Sequence, residues 1–185
     1  VSGADRLSPR ERPLQEPPAG QGDAGMDIVA PDTAQAGAIT ELWVDLAEGQ
    51  QAHDSHLLTE ENRTRIRESV VRHIVTDTLL VAREGEDLAG FVMFSVESGT
   101  FEQDVRRGVV ENLFVAEPYR SDDLGAELLA AAEARLTDRG VDVVALEAMW
   151  TNDRARAFYR DQGYEPHRIE LEKRLENDSH SRDDG

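Results

Sequence analysis

Cysteine is absent from the 185-residue chain, which excludes disulfide scaffolds and thiolate metal sites. Lysine is nearly absent too: Lys173 is the only one, and every other basic residue is an arginine. Positive charge as a whole is scarce, with 20 Lys plus Arg against 38 Asp plus Glu and a formal net charge of -18. General affinity for a nucleic-acid backbone would work against that field. No stretch approaches the roughly 18 apolar residues of a membrane span, and the N-terminal region lacks the basic start and apolar run of a secretory signal. The expectation is a cytoplasmic protein with no nucleic-acid or membrane partner. A chain of this length can bury roughly two-thirds of its unfolded surface in one core, so one domain is expected.

The acid is spread along the chain. Residues 1–25 hold four acids and three bases, residues 176–185 four acids and one base, and the stretch between carries a net -14. Such an even distribution fits a surface adapted to molar salt, of haloarchaeal type, better than an acidic patch built for one cationic partner. At about 1 M salt the Debye length is roughly 3 Å and self-repulsion is largely screened. The fold is expected to depend on salt, with a higher melting temperature in 2 M than in 0.1 M KCl; equal melting temperatures would contradict this.

Proline and glycine are concentrated at the N-terminal end. Pro9, Pro13, Pro17, Pro18, Gly3, Gly20, Gly22 and Gly25 fall within residues 1–25 with almost no large apolar side chain, so this segment is expected to be a disordered leader or a mis-assigned start preceding Met26. From Met26 the hydrophobic period is readable. Ile28 and Val29 fit a strand; Ile39, Leu42, Trp43 and Leu46 a helix; Ile66, Val70 and Ile74 a second helix. Leu79 to Arg83 and Leu88 to Val96 read as a hairpin, and Val109 to Val115 as a further strand. Leu124, Leu128, Leu129, Ala132 and Leu136 mark a helix ending at Gly140, and Val141 to Met149 a buried strand. A helix capped by Asn152 ends at Gly163, and a last strand is expected near His167 to Lys173. The order β-α-α-β-β-β-α-β-α-β predicts an α/β (α+β) domain over 26–175, a mixed and mostly antiparallel sheet flanked by helices, with a polar tail at 176–185.

Three stretches fall in that order: Val110-Glu111-Asn112-Leu113-Phe114-Val115; Pro118-Tyr119-Arg120 with the helix start that follows; and Asn152 followed by Ala155, Ala157, Phe158, Tyr159, Gly163 and Tyr164. Together they resemble the GNAT superfamily of acetyl-CoA-dependent N-acetyltransferases. The resemblance implies acetyl-CoA as cosubstrate, no metal, and a small-molecule or protein amine as acceptor. It also implies that the backbone of Leu113, Phe114 and Val115 pairs with the pantetheine arm and supplies an oxyanion donor. The loop Arg120-Ser121-Asp122-Asp123-Leu124-Gly125-Ala126 would hold the diphosphate on the N-H groups that open a helix. Homodimers are common in the family, though the sequence carries no interface signal.

Each implied residue has a plainer reading as well. Glu111 is the implied base, its pKa raised by partial burial, or a rim carboxylate paired with Arg106 or Arg107. Tyr159 is the implied acid that protonates the departing thiolate, or part of the core. Asn152 is a helix cap, a contact to the cofactor arm, or both. Asp122 and Asp123 depart from the family pattern, Asp123 standing where a glycine belongs. They either place carboxylates against the phosphates or cap the helix, and they keep open a non-catalytic acyl-CoA sensor or interaction module on the same fold. His53 and His56 flank Asp54 as a metal corner without a third ligand, or as a solvated helix end. His73 and His167 have no partner that spacing reveals.

Overall fold

The computed structural model describes residues 25–99, 101, 103–120 and 123–175; the expectations for 1–24, Ser121, Asp122 and 176–185 lie outside them. The first strand, β1 (Met26–Val29), leads into a turn in which the Asp32 carboxylate accepts the N-H groups of Ala34 and Gln35 at 2.8 and 3.3 Å, while the Gln35 side chain accepts Asp32 N-H. This reciprocal cap satisfies donors that a helix start leaves free and launches α1 (Ala36–Gln51). Helix α2 (Thr59–Val75) follows, then β2 (Leu79–Glu84) and β3 (Asp87–Val96). Gly85, at φ +62°, makes the tight turn between these two strands. Next come β4 (Arg107–Val115), α3 (Leu124–Asp138), β5 (Val143–Leu146) and α4 (Asp153–Asp161).

The five strands lie in sequence order, antiparallel except for the parallel β4/β5 pair that α3 bridges. Alternation along the strands divides the core between two faces. Leu80, Ala82, Val92, Phe94 and Val110 meet Leu128, Leu129, Ala132 and Leu136 of α3. On the other face Leu79, Val81, Phe91 and Met93 meet Ile39 of α1 and Val70 of α2. Full burial of side chains such as Phe91 and Phe94 stabilises the fold by roughly 1.5–3 kcal/mol each. Among the described residues no helix is long and apolar enough to cross a membrane.

Two expected strands differ. The strand expected over Val141 to Met149 narrows to β5, because its pairing with β4 ends at Leu146. The strand expected near His167 to Lys173 does not form: this stretch lacks regular structure, with Ile169 and Leu171 exposed. Its alternating pattern is that of a strand, but a strand needs a neighbour of matching length, and β5 offers only four residues of edge.

Candidate active site

The parallel register of β4 and β5 runs Arg107↔Val143, Gly108↔Val144, Val109↔Ala145 and Val110↔Leu146, and stops. Strand β4 continues to Val115, so its last five residues have β3 on one side and an open edge on the other. At the start of this stretch the register with β3 slips. Met93 faces Asn112 and Phe94 faces Val110, leaving Glu111 as the extra residue of a β-bulge. The bulge turns two successive side chains to the α1/α2 face. Asn112 Oδ1 accepts from Trp43 Nε1 of α1 at 3.1 Å, and Glu111 Oε2 lies 3.3 Å from His73 Nε2 of α2.

Beyond the bulge, alternation decides which backbone groups are open. Ala116 N-H donates to Ala89 O of β3 at 2.8 Å, which makes Ala89 and Ala116 a hydrogen-bonded pair. Two residues on, Phe91 and Phe114 are the next such pair. The N-H groups of Leu113 and Val115 therefore point to the open edge, while that of Phe114 belongs to β3. Of the three residues expected to supply backbone donors, two face the opening; Phe114 instead packs its ring on Phe91.

Glu111 differs from expectation in two ways. Its partner is His73, and neither Arg106 nor Arg107: Arg107 pairs with Glu97 at 3.2 Å, and Asp142 accepts the Arg106 backbone N-H. Its pKa is held below the usual carboxylate range, first by the hydrogen bond from His73, then by one from Ser95, whose Oγ donates to Oε1 at 2.6 Å, and burial only partly offsets them. An expectation from burial alone has the opposite sign, because it omits donors that only the tertiary fold supplies.

Tyr159 comes from the other face. Asn152 caps α4 by accepting Ala155 N-H at 3.0 Å. One turn later Phe158 and Tyr159 join Leu113, Val115 and Leu146 around the α3-side core. The Tyr159 ring stands edge-on to Phe158 and Tyr164, with centroids at 5.2 and 6.0 Å. Burial pushes the Tyr159 phenol above its ordinary range, so it keeps its proton at neutral pH. Tyr164 is fixed by donating from its hydroxyl to Glu133 Oε1 at 2.7 Å.

The N-terminus of α3 lies beside α4: a methyl group added to Gly125 would sit 3.5 Å from Phe158 Cζ and 4.0 Å from Val115 Cγ2. Leu124 is buried beneath the first turn. Asp123 occupies the cap position of α3, but its carboxylate accepts no hydrogen bond from the helix, unlike Asn152 on α4. Glu127 adds a second acid in the first turn. Arg120 donates from Nε to Val115 O at 3.1 Å, a bond that places its guanidinium beside the open edge. Ser121 and Asp122 lie outside the described residues.

The α1–α2 connection closes over the far end of β5, where Thr151 Oγ1 donates to His53 O at 3.2 Å and His56 Nε2 meets Glu172 Oε2 at 3.0 Å. Neither histidine joins a group of three metal-ligating side chains among the described residues. A hollow lined by Arg63, Thr64, Arg67, Glu68 and Val71 lies along α2, involving none of the residues at the opening. Spacing alone missed His73. It falls on the apolar stripe of α2, three residues after Val70, and a titratable side chain on a buried stripe is the signal that was present in the sequence.

The profile of the acetyltransferase (GNAT) family matches residues 35–164. No curated protein matches the sequence significantly. Among solved structures, a GCN5-related N-acetyltransferase of Ralstonia eutropha is similar at 20% identity and TM-score 0.66, covering 82% of this chain and 99% of that one. A transcriptional regulator of Bacillus halodurans is similar at 17% identity and TM-score 0.60, covering 82% of this chain and 100% of that one. The PaiA N-acetyltransferase of Thermoplasma acidophilum, solved with coenzyme A, is similar at 16% identity and TM-score 0.65, covering 79% and 93%. With well over half its length matched by the family profile, the chain belongs to the acetyltransferase (GNAT) family.

Proposed function

We propose that this protein transfers the acetyl group of acetyl-CoA to a primary amine by direct attack. The observation that carries the proposal is the opening after Val110↔Leu146, with Glu111 turned to the α1/α2 face at its start and Tyr159, protonated at neutral pH, packed with Leu113 and Val115 around the core on the α3 face. A pantetheine arm laid along the open edge of β4 would take the place of the missing β5 neighbour, bonding to the outward N-H groups of Leu113 and Val115. The diphosphate would meet the N-H groups of Leu124, Gly125 and Ala126 at the positive end of α3.

The neutral amine attacks the thioester carbonyl, and the new C–N bond places charge on the oxygen, which an open-edge N-H stabilises. The nitrogen of this adduct is strongly acidic, so Glu111 takes its proton, directly or through water, despite its depressed pKa. Collapse breaks the C–S bond and Tyr159 protonates the leaving thiolate. Amide and CoA are released, and solvent restores both side chains.

Asp123 works against the diphosphate. At about 6 Å, one unit charge pair costs on the order of 0.7 kcal/mol in water-like dielectric and about 3 at an effective dielectric of 20. Because its carboxylate caps nothing, Asp123→Asn should leave stability unchanged and tighten acetyl-CoA binding by about 3-fold or more in moderate salt, with a smaller gain near 2 M KCl. Calorimetric titration measures both. Absence of binding at millimolar acetyl-CoA in wild type and variant would defeat the proposal. The acids at the α3 N-terminus also favour a second reading, a non-catalytic acyl-CoA sensor. A rise in melting temperature with acetyl-CoA but no CoA release would select it.

A further inference from the structure

His73 is buried in the last turn of α2, and the reaction as described gives it nothing to do. Its two ring nitrogens are both engaged. Nδ1 lies 2.8 Å from Thr78 Oγ1, which lies 2.8 Å from Thr76 Oγ1, which in turn lies 2.9 Å from Arg72 O at the end of α2. Nε2 faces Glu111 Oε2 at 3.3 Å.

The hydroxyl chain can run either way, and Thr78 Oγ1 also reaches His73 O at 3.3 Å, so the contact of Nε2 with Glu111 decides between the tautomers. In the imidazolium, Nδ1-H donates to Thr78, Thr78 to Thr76, and Thr76 to the Arg72 carbonyl, so every donor finds an acceptor. In the neutral ring the two hydroxyls turn round: Thr76 donates to Thr78 and Thr78 to Nδ1. In both states Nε2 carries a hydrogen, with Glu111 Oε2 3.3 Å away. The remaining tautomer would set a bare Nε2 lone pair against a carboxylate oxygen and is disfavoured.

We propose that His73, together with Ser95, is a positioning residue for Glu111, holding Oε2 and Oε1 of the bulge carboxylate so that their remaining lone pairs meet the attacking amine or its bridging water. This rests on the acetyl-transfer reading above. The bulge makes such support necessary, since Glu111 has no residue opposite it on β3 and a side chain on an unpaired, half-exposed residue has no neighbour strand to fix its rotamer. The charged groups acting on Glu111 are His73 and, farther off, Arg72, both of α2; Ser95 of β3 is its neutral partner.

The test uses the full chain with His73→Leu, His73→Gln and Ser95→Ala, read in two ways. The first is the pH titration of the Glu111 carboxyl by carbon-13 NMR, assigned by its loss in Glu111→Gln; it needs no turnover. Removing His73 should move this titration to higher pH. The second is amine-dependent CoA release. His73→Leu should lower kcat roughly 10- to 100-fold with KM for acetyl-CoA unchanged, and move the acid limb of the pH profile upward; His73→Gln, which keeps an N-H donor, should recover most of the loss. If His73→Leu does not fold, Ser95→Ala carries the same two expectations through Oε1. An unmoved Glu111 titration in a folded variant overturns the pairing. An unmoved acid limb in an active variant overturns the positioning role. Wild-type protein with a depressed Glu111 but no CoA release defeats the acetyl-transfer reading instead, and the positioning role with it.

Discussion

Tyr159→Phe is expected to lower kcat for the proposed amine acetylation by about 100-fold and to leave the affinity for acetyl-CoA nearly intact. The change removes one oxygen from a ring whose packing is otherwise kept. Phe158 and Tyr164 meet its aromatic edge and face, contacts that phenylalanine reproduces, so the fold and the α4 contribution to the opening survive. What is lost is a proton donor. A leaving thiolate is expected to need one, and burial keeps the phenol protonated across the neutral range. For the same reason the wild-type profile should show no alkaline limb from Tyr159 below about pH 10, the ordinary phenol value. Single-turnover and steady-state kinetics together separate this loss of chemistry from a loss of binding. Equal turnover in the two proteins would remove Tyr159 from the mechanism and leave it a core residue.

Gly90→Ala unsettles the opening from behind. A methyl group at Gly90 would run into the Phe114 carbonyl oxygen and come within 3.2 Å of Val115 Cα and 3.3 Å of Leu128 Cδ1. Two of these are backbone atoms of the open-edge segment of β4, which cannot swing aside as side chains do. The strand must move, and the N-H groups of Leu113 and Val115 move with it. Overpacking of this kind costs about 1–3 kcal/mol, or a drop in melting temperature of roughly 2–12 °C for a chain of this size, and activity should fall further than stability. Gly108→Ala is the matched control. There the new methyl meets Leu136 methyls at 2.9 and 3.0 Å and Val141 Cγ1 at 3.1 Å, ends of side chains that can turn. Its cost should be smaller and its kcat close to wild type once folded.

Much of this was legible in the residues. The helical stripes of Ile39 to Leu46 and Leu124 to Leu136 and the strand runs around Phe91 and Leu113 specified their elements, because local period and burial agree there. The Asn152 cap was equally readable, since an acceptor three residues before a free N-H needs no tertiary partner. Asp123 shows the limit of that rule: it stands at a cap position by sequence yet caps nothing, its backbone being already helical at φ -103° and ψ -35°. Glu111 and His73 are 38 positions apart in sequence, and their contact depends on a bulge that no periodicity announces. The edge strand expected near His167 had the right alternation, but alternation states only which face a strand would bury, and supplies no neighbour to pair with.

Amine-dependent release of CoA from acetyl-CoA, followed in about 2 M KCl across a panel of polyamines, amino acids, lysine peptides and aminoglycosides, tests the central claim most directly. CoA is expected to be released in step with acetylated amine for at least one class, and strongly reduced in Tyr159→Phe. Acetyl-CoA that binds the wild-type protein and is never consumed, whatever amine is added, would contradict it.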